Sequence, residues 1–466
     1  MKRIGLLFIS FIICCCTLAA QTLAERLDAV VSSDKLLTTS EVGISVFNLT
    51  QGKQVYAYQD KKLYRPASIE KLITSVTALA ELGEYYVFNT RVAYTGTITQ
   101  DSVLQGDLYV VGGFDPEFMD EDMNKLAEAV HNSGIRSIQG RLVADVSLTD
   151  SIYWGPGWSW DDTPESFQPY LSPLMLNRGC VNVTVIPGTK GKRPQVEVVP
   201  ESDYYTVCNL AKSYLPQEGK LKVTRNWLDN GNTIYISGNA NYRCTKKLNI
   251  YASQDFFLHT FAYKLNKKRI SVQAVAYGMC PDEATGLYTL SRPLTPVLKR
   301  ALKKSDNLSA EALFYHLGIH HSDEKYVGYK DAQNVIYDFM KNEIGYNPDD
   351  YSIVDGSGVS LYNYISPALM MEYLKYAYSR AEIFRPLYEA PTRAGVDGTL
   401  GNRMKKGRAY RNVHAKTGTV TGVSSLAGYV KAGNGDMLAF VIINQNVLKG
   451  KDARLFQDKI CEILTH

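Results

Sequence analysis

Apolar and polar residues alternate over residues 42–49, break at Gln51-Gly52-Lys53 and alternate again over 54–58, which predicts a β-hairpin behind a short helix at 24–33. The period then lengthens. Ile69, Leu72, Ile73, Val76 and Ala80 share one helical face, Pro66 suits the first turn, and Gly83 closes a long helix. Near the other end, residues 412–420, 425–431 and 437–444 read as three strands, with Gly433-Asn434-Gly435 turning the second into the third. A helix over 451–464 follows. The two ends thus supply one antiparallel sheet with helices packed on it, an α+β arrangement.

Between the ends the character changes. Residues 91–283 hold glycine-punctuated short strands, one clear helix at Asp120–Asn132 and the aromatic run Trp154-Gly155-Pro156-Gly157-Trp158-Ser159-Trp160. This predicts a mostly β insertion dividing 21–90 from 284–466. The helical period returns over 294–318 and again over 368–378, and no fixed-period repeat or low-complexity tract occurs.

At 466 residues the chain exceeds an ordinary single core, and 45% hydrophobic against 21% charged residues predicts a globular protein of more than one domain. Residues 1–20 carry the marks of an export signal. Lys2 and Arg3 precede an apolar run over 4–18 that is too short to span a bilayer, and Ala19-Ala20 gives a small-residue exit, with Ala24 a second cleavage point. Cys14, Cys15 and Cys16 raise the lesser alternative of a lipid-modified cysteine, against which the bulky Ile12 and Ile13 argue. Export predicts a periplasmic location. Removing Lys2 and Arg3 lowers the formal charge from +4 to +2, too little to serve as a footprint for nucleic acid. Cys180, Cys208, Cys244, Cys280 and Cys461 are widely spaced without a Cys-x-x-Cys pair, so a metal or redox motif is not indicated. One or two disulfides among the four between 180 and 280 suit an oxidising compartment.

Three short motifs carry the chemistry. Ser68-Ile69-Glu70-Lys71 sets a hydroxyl and an amine one helical turn apart, where the amine can take the hydroxyl proton once burial or nearby positive charge lowers its pKa. Ser305-Asp306-Asn307 precedes a helix; Ser305 can relay protons and Asn307 can hold the lysine and a substrate amide, while a plain helix cap is the competing reading. Lys416-Thr417-Gly418 lies on a strand along which a peptide can pair. There Gly418 permits close approach, and Lys416 with the hydroxyls of Thr417 and Thr419 can bind a carboxylate. Each motif alone is weak, but in this order on helix, loop and strand they form the signature of penicillin-binding proteins and serine β-lactamases. His316, His320 and His321 have no acidic partner at zincin spacing and read as core or solvated histidines. Asp355 and Asp397, in glycine-rich turns, read as holders of backbone geometry.

Further segments narrow the resemblance. Pro66-Ala67-Ser68-Ile69-Glu70-Lys71-Leu72, Gly106-Asp107-Leu108-Tyr109, Asp355-Gly356-Ser357-Gly358, Gly395-Val396-Asp397-Gly398-Thr399-Leu400 and Ala415-Lys416-Thr417-Gly418-Thr419-Val420-Thr421-Gly422-Val423 resemble the D-Ala-D-Ala carboxypeptidase/endopeptidase family, the class C low-molecular-mass penicillin-binding proteins. That resemblance implies a penicillin-binding transpeptidase/β-lactamase-like catalytic domain interrupted between Lys71 and Ser305 by an inserted region. It implies that Ser68 attacks a D-Ala-D-Ala carbonyl with Lys71 as base, that Ser305 and Asn307 assist proton transfer, and that Lys416 helps bind the terminal carboxylate. The N–H groups of Ser68 and Thr419 would form the oxyanion hole. Peptidoglycan peptides are the implied substrates, β-lactams the implied covalent inhibitors, and no metal or organic cofactor is required. The segment from Pro156 to Asp162, with Phe167, resembles the part of the insertion that meets the free amine of diaminopimelate, which would place Asp162 and Phe167 in the substrate site. One position departs: where members commonly carry an arginine facing a substrate carboxylate, this chain has Tyr362. Two other classes compete. A serine β-lactamase would need an efficient deacylating base, and no Glu-x-x-Leu-Asn follows Ser305-Asp306-Asn307. A non-catalytic wall-binding or β-lactam-sensing module would be expected to carry a membrane or signalling segment beyond residue 20.

Overall fold

The computed structural model describes residues 21–323 and 325–466; the expected export signal, with its three cysteines, lies outside the described residues. The hairpin forms from Glu41–Asn48 and Lys53–Tyr58. It belongs to a six-stranded antiparallel sheet whose spatial order is 53–58, 41–48, 437–447, 422–431, 414–420, 392–393. The two ends of the chain meet at its centre, where Glu41 pairs with Gln445 and Asn48 with Leu438.

Both faces of this sheet are covered, which is why Met437–Val447 reads as a nearly unbroken apolar run. Side chains alternate across it. Phe440 and Ile442 face Leu27 of helix Leu23–Ser33 and Phe456 and Ile460 of helix Gly450–Leu464. Val441 and Ile443 face the opposite core, shared by helices Glu70–Glu81, Asn307–His321 and Pro367–Tyr378 through Ile73, Leu313 and Met370. The result is three layers, helix on sheet on helix.

Strands Val87–Tyr94 and Thr285–Pro293 pair antiparallel and carry the chain out of and back into these layers. Between them lie the rest of a five-stranded mixed sheet, a four-stranded one, two three-stranded ones and a two-stranded one. They enclose a second core, containing Val110, Leu126, Val183, Ile236 and Phe257, drawn only from residues 92–290. Helix Asp120–Asn132 lies where the sequence predicts it, but a second helix, Ser253–Lys267, joins it. Phe256, Phe257 and Phe261 gave that segment the aromatic content of a strand, and the packed core overrides the local preference.

None of the five described cysteines is paired, contrary to the expected disulfides. Cys180 is buried, with its Sγ 3.2 Å from the Arg178 carbonyl oxygen, and Cys208 and Cys244 lie on strands of different sheets. No helix among the described residues is long and apolar enough to cross a membrane.

Candidate active site

The helix predicted from Pro66 begins differently. Ala67–Ile69 forms a 3-10 turn before the α-helix Glu70–Glu81, and Ala67 sits at φ +50°, a left-handed conformation that an alanine adopts only when its surroundings impose it. Gly358 packs directly against this turn: a Cβ there would lie 2.0 Å from the Ala67 carbonyl oxygen. The turn aims Ser68 at the surface of a cavity while Lys71 is fully buried below it.

Lys71 Nζ is 3.0 Å from Ser68 Oγ, 2.8 Å from Asn307 Oδ1 and 2.6 Å from the Ser357 carbonyl oxygen. Two of these partners can only accept. A neutral amine has two N–H groups for them and one lone pair left for the Ser68 hydroxyl proton. Burial brings Lys71 down from 10.5 to about 8, against the opposing pull of Asp355, Glu311, Asp306 and Glu70. Burial also pushes Glu311 up to about 8 and Glu70 well above the carboxylate range, in each case helped by Asp355, so these two acids lean towards their neutral forms. Asp355 is densely hydrogen-bonded, accepting from Gly358 N (2.8 Å), Ser360 N (2.7 Å), Asn363 Nδ2 (2.7 Å) and Trp158 Nε1 (2.8 Å). It fixes the loop whose Ser357 carbonyl holds Lys71.

Ser305 also has a left-handed backbone, φ +56°. The next residue caps helix Asn307–His321: Asp306 Oδ1 accepts from Ser309 N at 3.0 Å, so the cap and the motif coexist in three consecutive residues. Asn307 Nδ2 donates to the Phe167 carbonyl (2.9 Å) and to Gln168 Oε1 (3.1 Å), and its Oδ1 faces Lys71. Lys416 Nζ donates to Ser305 Oγ (2.7 Å) and to the Thr417 carbonyl (2.6 Å). Burial lowers its pKa well below the ordinary lysine value, and the positive charge of Lys71 adds to the effect. Neither buried lysine has an ion-pair partner among the described residues.

Strand Thr392–Arg393 pairs only with Ala415 and His414, so the outer edge of the neighbouring strand is open from Lys416 to Val420. Gly418 is required there, since a Cβ would lie 2.1 Å from Ser425 Oγ and 2.9 Å from Ser68 N. Thr417 Oγ1 donates to Thr399 Oγ1 at 2.7 Å, outside the cavity lining, whereas Thr419 lines the cavity.

That cavity measures about 810 Å³, and Ser68, Ser305, Asn307, Thr419, Asp162 and Phe167 all line it. Lys71 and Lys416 lie beneath, joined to it through Ser68 and Ser305. Asp162 has its pKa raised by burial and by Asp161. Three contributors escaped the sequence reading: Arg65, which brings a guanidinium to the cavity, Gln168, which steadies Asn307, and the Ser357 carbonyl. Arg65 immediately precedes the nucleophile motif and Gln168 follows Phe167, so proximity along the chain was the available signal. Tyr362 is largely exposed, its ring against Gly157.

The histidines lie elsewhere. His316 is buried between Tyr86 Oη (2.9 Å from Nδ1) and the Gly113 carbonyl (3.0 Å from Nε2), His320 packs against Tyr86, and His321 meets Glu81 at 3.0 Å. No group of three metal-ligating side chains occurs among the described residues.

Comparison with known proteins finds similar chains. A D-alanyl-D-alanine carboxypeptidase of an Actinomadura species is 28% identical over 440 residues, covering 91% of this chain and 80% of that one. The D-alanyl-D-alanine carboxypeptidase DacB of Haemophilus influenzae is 25% identical over 430 residues, 88% of this chain and 86% of its own. The crystal structure of penicillin binding protein 4 (dacB) from the same organism superposes with a TM-score of 0.81 at 24% identity, covering 93% of this chain and 97% of that one, and so shares the fold. The model of the D-Ala-D-Ala carboxypeptidase 3 (S13) family matches residues 23–466, and the chain belongs to that family.

Proposed function

We propose that this protein is a serine D-Ala-D-Ala carboxypeptidase and D,D-endopeptidase that trims stem peptides and cleaves cross-links of peptidoglycan, and that β-lactams inhibit it by acylating Ser68. The observation that carries this reading is the contact of Lys71 Nζ with Ser68 Oγ at 3.0 Å while its other two partners are fixed acceptors. Lys71 takes the hydroxyl proton as Ser68 Oγ bonds to the penultimate D-alanine carbonyl. The N–H groups of Ser68 and Thr419 receive the oxyanion, a contribution of about 10²- to 10³-fold in rate. The C–N bond to the last residue breaks, and the proton held by Lys71 is relayed through the Ser305 hydroxyl, itself held by Lys416, to the leaving amine, which restores neutral Lys71. Water then hydrolyses the ester and restores Ser68. Neither metal nor organic cofactor takes part.

Substrate recognition follows from the cavity lining. Asp162 faces the side-chain ammonium of the stem peptide and Phe167 packs on its aliphatic part. Arg65 offers a cation for a substrate carboxylate where Tyr362 cannot. Residues 21–90 and 284–466 act as the catalytic domain and 91–283 as the insertion, a division supported by a second core drawn only from residues 92–290. The expected export signal and the cell-wall enzymes this chain resembles support a periplasmic setting.

Fluorescent penicillin followed by peptide mapping tests the reading, together with chromatography of products from pentapeptide and cross-linked muropeptides. Label on the Ser68 peptide, loss of terminal D-alanine and scission of cross-links are expected. Label persisting in Ser68→Ala would overturn the assignment, and rapid release of penicilloate without peptide cleavage would favour a β-lactamase.

A further inference from the structure

Trp160 is 68% exposed and Leu228, from a distant part of the insertion, is 71% exposed. They are neighbours. The Trp160 ring lies 5.3 Å from that of Trp227 at an interplanar angle of 31°, and Trp154 and Tyr170, 5.0 Å apart, form the floor below. Together they bound a cavity of about 220 Å³, room for one small ring. No charged residue lines it. The indole N–H groups of Trp160 and Trp227 and the side-chain amide of Asn230 have no hydrogen-bond partner among the described residues, and all three residues line this cavity.

Its position selects the occupant. The short helical turn Trp160–Asp162 separates two cavities: Ser159 and Asp162 line the one that holds Ser68, while Trp160 and Thr163 line the aromatic one. A ligand whose peptide lies along the first cavity therefore has its next part within reach of the second. In wall polymer, the chemistry proposed above for the first cavity, that part is a strand of N-acetylated amino sugars. Such a sugar is neutral. It presents an apolar C–H face suited to stacking on indole, with hydroxyl and amide oxygens to accept from the free donors.

We infer that the Trp160–Trp227 cavity is a sugar subsite that stacks an N-acetylhexosamine of the glycan strand while the attached peptide occupies the Ser68 cavity. The inference rests on the proposed function for its choice of ligand, and a peptide-free probe separates the two. Chitotetraose, an unbranched N-acetylglucosamine oligomer, is titrated into the full-length Ser68→Ala protein and followed by tryptophan fluorescence and calorimetry. Saturable binding with a Kd on the order of 1 mM is expected, weakened about tenfold by Trp160→Ala or Leu228→Ser, with cellotetraose, which lacks the acetamido groups, binding more weakly. Both positions are exposed, and unchanged thermal melting confirms that each variant folds. In the active enzyme, Trp160→Ala should raise KM for glycan-linked peptide about tenfold and leave free pentapeptide hydrolysis and penicillin acylation unchanged.

Absence of saturable chitotetraose binding, or binding indifferent to both substitutions, overturns the subsite. Equal loss on free and glycan-linked peptide also overturns it and assigns Trp160 to the peptide site. If penicillin fails to label Ser68 but chitotetraose still binds through Trp160, the catalytic reading falls and the subsite stands.

Discussion

Replacing Lys71 by arginine keeps a cation and removes the amine in contact with Ser68. Bringing a lysine from 10.5 to about 8 favours its neutral form by about 3 kcal/mol, so at pH 7 roughly one Lys71 in ten is neutral, against roughly one in three thousand for an ordinary lysine. If the neutral amine is the base, the acylation rate follows that fraction. Stopped-flow acylation by a fluorescent penicillin should accelerate about tenfold per pH unit from about pH 6 and level off above about 8. Lys71→Arg should lose about a thousandfold at every pH. Glu311→Gln tests the neighbouring charge. Glu311 is itself pushed up to about 8, so where Lys71 titrates it is about half ionised, and removing it takes away part of the pull that raises Lys71; the inflection should fall by up to about one pH unit. A rate flat across this range, or Lys71→Arg acylating within tenfold of wild type, would refute the base assignment. An unmoved inflection in Glu311→Gln would show that Glu311 is neutral where Lys71 titrates.

Gly418→Ala inserts a methyl 2.1 Å from Ser425 Oγ, itself hydrogen-bonded to the Pro66 carbonyl; acylation should fall at least about tenfold with about 1–3 kcal/mol of stability lost, and wild-type labelling would contradict the close approach. Asp162→Asn should lower kcat/KM for peptides bearing a side-chain amine by about tenfold to a hundredfold while sparing penicillin acylation, as measured on matched peptides with and without that amine. His316 is held neutral, its pKa lowered by burial from 6.5 to about 4. As pH falls from 6.5 towards 4, the unfolded chain binds a proton that the folded one refuses, so up to about 3 kcal/mol of stability is lost across that window. Urea midpoints at pH 7 and pH 4.5 should show this loss, and His316→Gln should reduce it; identical pH slopes would refute the assignment.

The layers around the catalytic sheet were legible because their signals are local. The alternation over 42–49 appears as Glu41–Asn48, and the three C-terminal strands and last helix appear near their expected bounds. The 3-10 entry to the Ser68 helix was not legible. Ala67 takes a left-handed conformation in a turn packed against Gly358, far along the chain, and no propensity at Ala67 reports that. Gln168 was invisible for the same reason, since its role exists only once Asn307 arrives beside it. The cysteines misled in the opposite direction. Number and compartment favoured pairing, but partners are chosen by distance, which spacing along the chain does not encode.

Because Glu41–Asn48 finds its inner neighbour in Met437–Val447, the sheet behind Ser68 cannot close until almost the whole chain has been made. Contacts this distant in sequence form late and slowly. A chain halted at residue 430 would carry Ser68, Lys71, Ser305 and Lys416 and still lack the strand that joins the two ends. Activity therefore waits on the last strand: the chain becomes competent only after Met437–Val447 has been made and has paired with Glu41–Asn48. Ribosome-stalled or truncated chains ending before residue 437 should consequently escape penicillin labelling, although every reactive side chain is present.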